Sequence, residues 1–136
     1  AFNSLSNNLA LILGTLQQAA HPDTKFVAMN YYNTFLAFWF NGPAGQGLAY
    51  DSAMLANILN YDVLGGVYGA FGVPVADVAA AFDSGNFSTN AATGLPQNVL
   101  NNSEYTYMCT GAPVGPKNHA NRYGYGVIAA TIAATL

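Results

Sequence analysis

The sequence predicts an α/β fold with a parallel sheet, on three observations. Helical and extended patterns alternate along the chain. The clearest extended stretch, Phe26-Val27-Ala28-Met29, is an unbroken apolar run, as expected for a strand covered on both faces. The chain closes on a helical pattern, which supplies a flanking helix. At 136 residues it can bury one core, and residues 1–136 read as a single domain.

Leu5, Leu9, Ile12, Leu13 and Leu16 share one face of a first helix, with Asn3 or Ser4 available as N-cap. His21-Pro22-Asp23 ends it, because the residue before a proline avoids the helical region. Lys25 to Tyr32 reads as the first strand. Phe35-Leu36-Ala37-Phe38-Trp39-Phe40 reads as an aromatic loop, closed by Asn41-Gly42-Pro43. Gly47 to about Tyr61 reads as the second helix, with Leu48, Leu55, Ile58 and Leu59 as its buried stripe. Val63 to Phe71 continues it, weakened by Gly65, Gly66 and Gly69, until Gly72 breaks it. Val73 to Val78 reads as a second buried strand, with Pro74 near its start, where a missing N–H is tolerated. Asp83 to Gln97 is a Gly/Ser/Asn-rich loop, long for a compact domain. Tyr105 to Cys109 reads as extended. Asn121 stands as N-cap of a last helix, along which Tyr125, Ile128, Ala129, Ile132 and Leu136 recur.

Charge is scarce. Asp, Glu, Lys and Arg make up 7 % of the residues, against roughly 25 % in ordinary domains. Lys25, Lys117 and Arg122 are the only basic residues, too few for a nucleic-acid partner. Polarity comes instead from neutral side chains, fifteen asparagines among them. Such a surface repels copies of itself weakly. It suits a secreted domain of low charge or a self-associating subunit of an assembly. No apolar run of about 18 residues is present, so no transmembrane segment is expected. No signal peptide is visible, as in a mature secreted chain. Cys109 is the single cysteine, so no internal disulfide can form. It reads as buried and inert, with no base or cation close by in sequence. The two histidines, His21 and His119, stand at opposite ends of the chain without a clustered carboxylate, a weak metal signal. No glycine loop able to cradle a cofactor phosphate is seen.

The tail Gly115-Pro116-Lys117-Asn118-His119-Ala120-Asn121-Arg122-Tyr123-Gly124-Tyr125-Gly126 resembles the last block of the SGNH, or GDSL-type, ester hydrolases. In that family the catalytic histidine lies just before a final helix, in a loop of the form Asp-x-(x)-His-Pro-Asn-x-x-Gly-Tyr. His119, Asn121, Gly124 and Tyr125 match. Lys117, Pro116 and Asn118 occupy the places where the aspartate could stand. The resemblance extends to Val27-Ala28-Met29-Asn30-Tyr31-Tyr32, to Val67 through Val78 and to Tyr105-Thr106-Tyr107-Met108-Cys109. It covers the C-terminal half to two-thirds of the family's domain. It implies a flavodoxin-like three-layer α/β/α sandwich, a secreted esterase or lipase, a small acyl-ester substrate and no cofactor. It makes His119 the general base. In secreted relatives a second cysteine often stands near the position of Ser103.

Ester hydrolysis needs a nucleophile, a base, an orienting group and oxyanion donors. The family's nucleophile belongs to an N-terminal Gly-Asp-Ser block, and this chain has no Gly-Asp-Ser and no Gly-x-Ser-x-Gly. Asp51-Ser52 and Asp83-Ser84 lack the glycine and the turn that would expose a serine. Asp77 or Asp83 could orient His119 only if folding brings one of them near. Tyr31, Tyr32, Phe35 and Trp39 could line an acyl pocket at the carboxyl edge of the sheet, or serve as core. Two functional readings follow. One is the histidine-bearing portion of an ester hydrolase whose N-terminal portion is missing from the chain. The other is a non-catalytic, self-assembling extracellular subunit derived from the same fold.

Overall fold

Helices carry most of the chain, because most of its apolar residues recur at helical rather than alternating spacing. The computed structural model describes residues 2–136. In order come α1 (Phe2–Ala19), β1 (Ala28–Met29), a 3₁₀ helix (Thr34–Asn41), α2 (Gly42–Asn57), a π-helical segment (Ile58–Leu64), α3 (Gly65–Ala70), β2 (Val75–Ala76), α4 (Val78–Ala81), α5 (Gln97–Tyr105) and α6 (Arg122–Thr135). The two strands pair in parallel, Ala28 opposite Val75 and Met29 opposite Ala76. The α/β expectation therefore holds, with a sheet of two short strands.

Parallel pairing requires a crossover, and the run from the 3₁₀ helix through α3 supplies it. Residues 42–70 form one unbroken helical path whose middle is π-wound. A π segment re-aims side chains relative to a regular helix. Here the segment carries Asn60, which is buried against β1. Its carboxamide accepts from the Tyr31 N–H (3.0 Å) and donates to the Tyr31 carbonyl (2.7 Å), as a neighbouring strand would. Ala28 and Asn30 donate their N–H groups the other way, to Pro74 and Ala76 of the β2 side.

The core cluster joins Leu13 of α1, Leu64, Tyr68 of α3, and Val73, with Phe26, Ala28 and Val75 packed against it. On the other side of the molecule α6 contacts β2, α4 and α5. Leu36, Val78 and Val99 are the largest apolar side chains with almost no exposure. Each fully buried aliphatic contributes roughly 1.5–3 kcal/mol.

Several expectations are corrected. Of the strand read over Lys25 to Tyr32, only Ala28–Met29 pairs. Of Val73 to Val78, only Val75–Ala76 pairs, and Val78 opens α4, with the Asp77 carboxylate accepting from Ala80 N. The aromatic run is not a loop but the 3₁₀ helix, opened by Asn33, whose side chain accepts from Phe35 N. The second helix starts at Gly42 rather than Gly47, because Pro43 sits in its first turn, where no N–H is needed. Its contact face is Gly45 and Ala49, whereas Leu48 and Leu55 are more than half exposed. A Cβ on Gly45 would overlap the Phe38 carbonyl, so small residues let α2 lie directly on the 3₁₀ helix. Within α1 only Leu13 is buried, while Ile12 and Leu16 are about half exposed. Tyr105 to Cys109 is not extended: Tyr105 ends α5, and Thr106 makes an isolated bridge to Ala120. Cys109 is exposed rather than buried, because it sits in a turn beyond that bridge.

Candidate functional site

The carboxyl ends of the two strands are joined by buried amides. Asn30, directly after β1, donates to the Asp77 carboxylate (2.7 Å) and accepts from Ala79 N (2.8 Å). Asp77 follows β2, caps α4 and also receives the Tyr61 hydroxyl (3.0 Å). The chain then runs through Tyr31, Tyr32 and Asn33 along this edge. Asn33 donates to Ser52 Oγ (2.9 Å) on α2, and its own N–H reaches Ser84 Oγ (3.4 Å). No buried side-chain nitrogen or oxygen among the described residues is left without a partner. That is how a chain so rich in asparagine can bury Asn30, Asn60, Asn98 and Asn102 without paying for lost hydration.

The His119 loop is held to this edge from two directions. Tyr32 donates its hydroxyl to the Asn118 carbonyl (3.0 Å), across 86 positions of sequence. The Tyr32 ring stacks on Phe82 (4.4 Å between centroids), and Phe82 meets Tyr105 edge-on. From the other side, Tyr107 N donates to the His119 carbonyl (3.0 Å) and Asn121 N to the Tyr105 carbonyl (2.8 Å). Burial raises the Tyr32 phenol above its ordinary value, the backbone at Ala120 lowers it, and the nearby Tyr125 raises it further.

Two matched residues of the tail have clear structural tasks. Asn121 accepts from Tyr123 N (2.9 Å) and Gly124 N (3.1 Å), the N-cap read from the sequence, and donates to the Glu104 carbonyl (2.6 Å). Gly124 is buried in the first turn of α6, where a Cβ would overlap the Tyr105 carbonyl oxygen. Tyr125 is exposed. His119 is exposed too, and its ring has no hydrogen bond or ion pair among the described residues. Asp77 is engaged by Asn30, Tyr61 and Ala80, and Asp83 by Asn86, so neither orients the imidazole.

Of the four aromatics expected to line a pocket, three do so together. Tyr31, Tyr32 and Phe35 border a mostly apolar cavity of about 290 Å³ against Leu55 and Leu59 of the long helix. Trp39 lies apart from that cavity and packs on Tyr50 (5.8 Å) and Phe87 (6.2 Å). Sequence reasoning missed Asn30 and Asn60, and it considered Asp77 only as a partner for His119, not as the cap of α4. The legible signals were an amide ending an apolar strand and an aspartate at capping distance before Ala80.

Ser103 donates its hydroxyl to the Cys109 sulfur (3.3 Å), bridging α5 to the turn that follows it. Among the described residues no cluster of three His, Cys, Asp or Glu could hold a metal ion, and no helix is long and apolar enough to cross a membrane. Comparison with known proteins gives no match: no family model, no curated protein and no solved structure aligns with the chain.

Proposed function

We propose that this chain is the histidine-bearing portion of an SGNH-type ester hydrolase domain, with His119 as general base. Its small sheet belongs, in this reading, to a flavodoxin-like three-layer sandwich. One observation carries the proposal. The Tyr32–Asn118 hydrogen bond ties the His119 loop to the segment leaving the carboxyl end of β1, where open α/β sheets bind ligands. The same tyrosine borders the aromatic cavity, which would take an acyl chain.

In the reaction, a serine hydroxyl attacks the ester carbonyl as the imidazole takes its proton. The imidazolium then protonates the departing alcohol, and water repeats the cycle. In this reading the chain supplies the imidazole and an apolar cavity for the acyl chain. The serine of a Gly-Asp-Ser block and its oxyanion donors would have to be contributed by another segment. The chain alone is therefore expected to show only slow acyl transfer from the imidazole itself. With p-nitrophenyl acetate and butyrate, His119→Ala should abolish the rate above background and His21→Ala should leave it unchanged. Equal losses in the two variants would sink the assignment, since both rings are exposed and only the His119 loop is tied to Tyr32. A fluorophosphonate that labels a serine of this chain would correct it in the other direction, by revealing a resident nucleophile.

A second reading is favoured by a different observation. The chain exposes 7921 Å², whereas a folded chain of its mass exposes about 6,800 Å². A non-catalytic, self-assembling subunit of the same ancestry would bury that excess against its neighbours. Light scattering that finds large particles, with no His119-dependent rate, would favour this reading over the first.

A further inference from the structure

A groove runs along α2 beside the aromatic cavity, from which Ala56 and Asn60 divide it. Two hollows of about 350 and 470 Å³ share Ala53, Asn57 and Gly85, and so form one continuous trough. Its floor is made of small residues of α2, α4 and the following turn, which allow a ligand close approach to backbone. One end has an aromatic wall, Tyr50 stacked on Phe87 with centroids 4.1 Å apart. The other end carries Asp83, Asn86 and Tyr61. From Tyr50 to Tyr61 the helical rise gives a length of roughly 16 Å.

The chemistry of this lining selects a ligand class. No lysine or arginine borders either hollow, so a phosphate or carboxylate would find no counter-charge. A purely apolar ligand would strip water from amides and a carboxylate without replacing it. What fits is a neutral molecule with an apolar face for the aromatic wall and a rim of hydroxyls for the amides. The polar groups are partly free to answer it. The Asn57 side chain has no hydrogen-bond partner among the described residues, and the only side-chain bond of Asp83 is from Asn86 to one carboxylate oxygen. Asp83 sits at φ 56°, in the left-handed region, so the turn directs its carboxylate from a conformation that few residues other than glycine, asparagine and aspartate adopt.

We infer that this trough binds a short neutral oligosaccharide, with its apolar side at the Tyr50–Phe87 end and its hydroxyls on Asn57 and Asp83. The test is calorimetric titration of the full chain with cellohexaose, xylohexaose, mannohexaose and chitohexaose. At least one should bind saturably and move the backbone amide resonances of Asn57 and Gly85. Asn57→Ala and Asp83→Asn should each weaken that binding roughly three- to tenfold, the loss of one hydrogen bond. Asp83→Asn keeps a side chain tolerant of the left-handed backbone, and Asn57 is exposed, so both variants should fold. No saturable binding with any of the four overturns the inference. So does binding that both variants retain unchanged.

Discussion

Tyr32 shows how one side chain can serve both stability and the site. Its ring lies on Phe82 and its hydroxyl holds Asn118, so Tyr32→Phe should cost about 1 kcal/mol at neutral pH, read from urea midpoints. The phenols of Tyr32, Tyr61 and Tyr68 are raised above the ordinary 10, chiefly by burial. The folded state thus favours the neutral phenol. Its contribution is complete below pH 10 and is lost as the pH climbs through the raised values, so stability should fall as the pH rises above 10. Tyr32→Phe should flatten that decline, and an unchanged slope would remove Tyr32 from the account. Among single residues, the N-cap role of Asn121 was legible in sequence because capping is a local matter of one side chain and the N–H groups two and three residues on. Asn121→Ala should cost about 1 kcal/mol in thermal or chemical unfolding. The exposure of Cys109 was not legible, since it depends on where the Thr106–Ala120 bridge leaves the following turn.

At the scale of elements, α6 and its loop form a unit with the end of α5. Gly124 is the tightest point of that contact, and Gly124→Ala should destabilise by about 1–3 kcal/mol by forcing α6 off the Tyr105 carbonyl. The closeness of Ser103 and Cys109 leads to a gain instead. Ser103→Cys should close a disulfide under oxidising conditions and raise stability by about 2 kcal/mol, with mass spectrometry reporting the bond. Helix α5 itself was missed because Gln97–Tyr105 is mostly polar and rich in asparagine, a poor helix former. Tertiary contacts override that preference: Val99 is fully buried, and Asn98 and Asn102 find carbonyl partners on Ser84 and Thr34. The aromatic run misled for the opposite reason. Bulky residues without periodicity suggest a loop, yet Gly45 and Ala49 leave room for a tight helical turn beneath α2. Strand existence was legible from apolar runs; strand length was not, because pairing stops where Asn30 and Asp77 turn to each other.

For the whole molecule, helical spacing identified the apolar residues of α1 but not what covers them. The helix carries no charged residue, and Ile12, Leu16 and Leu11 are each at least half exposed. With about 1,100 Å² more surface than its mass calls for, the chain exceeds the roughly 800 Å² that one partner of a standard interface contributes. In the self-assembling reading, copies should associate reversibly, and sedimentation velocity should show the mean mass rising with concentration. Ile12→Lys combined with Leu16→Lys should hold the protein monomeric without lowering its unfolding midpoint. The rung that Asn60 lends to Tyr31 sets a boundary on any such growth. Beside β1, the outward main-chain groups of Val27 and Met29 have no hydrogen-bond partner among the described residues. A longer ladder would have to evict that amide, so enlargement of the sheet on this flank is rationed to two residues, and the π turn is the gatekeeper.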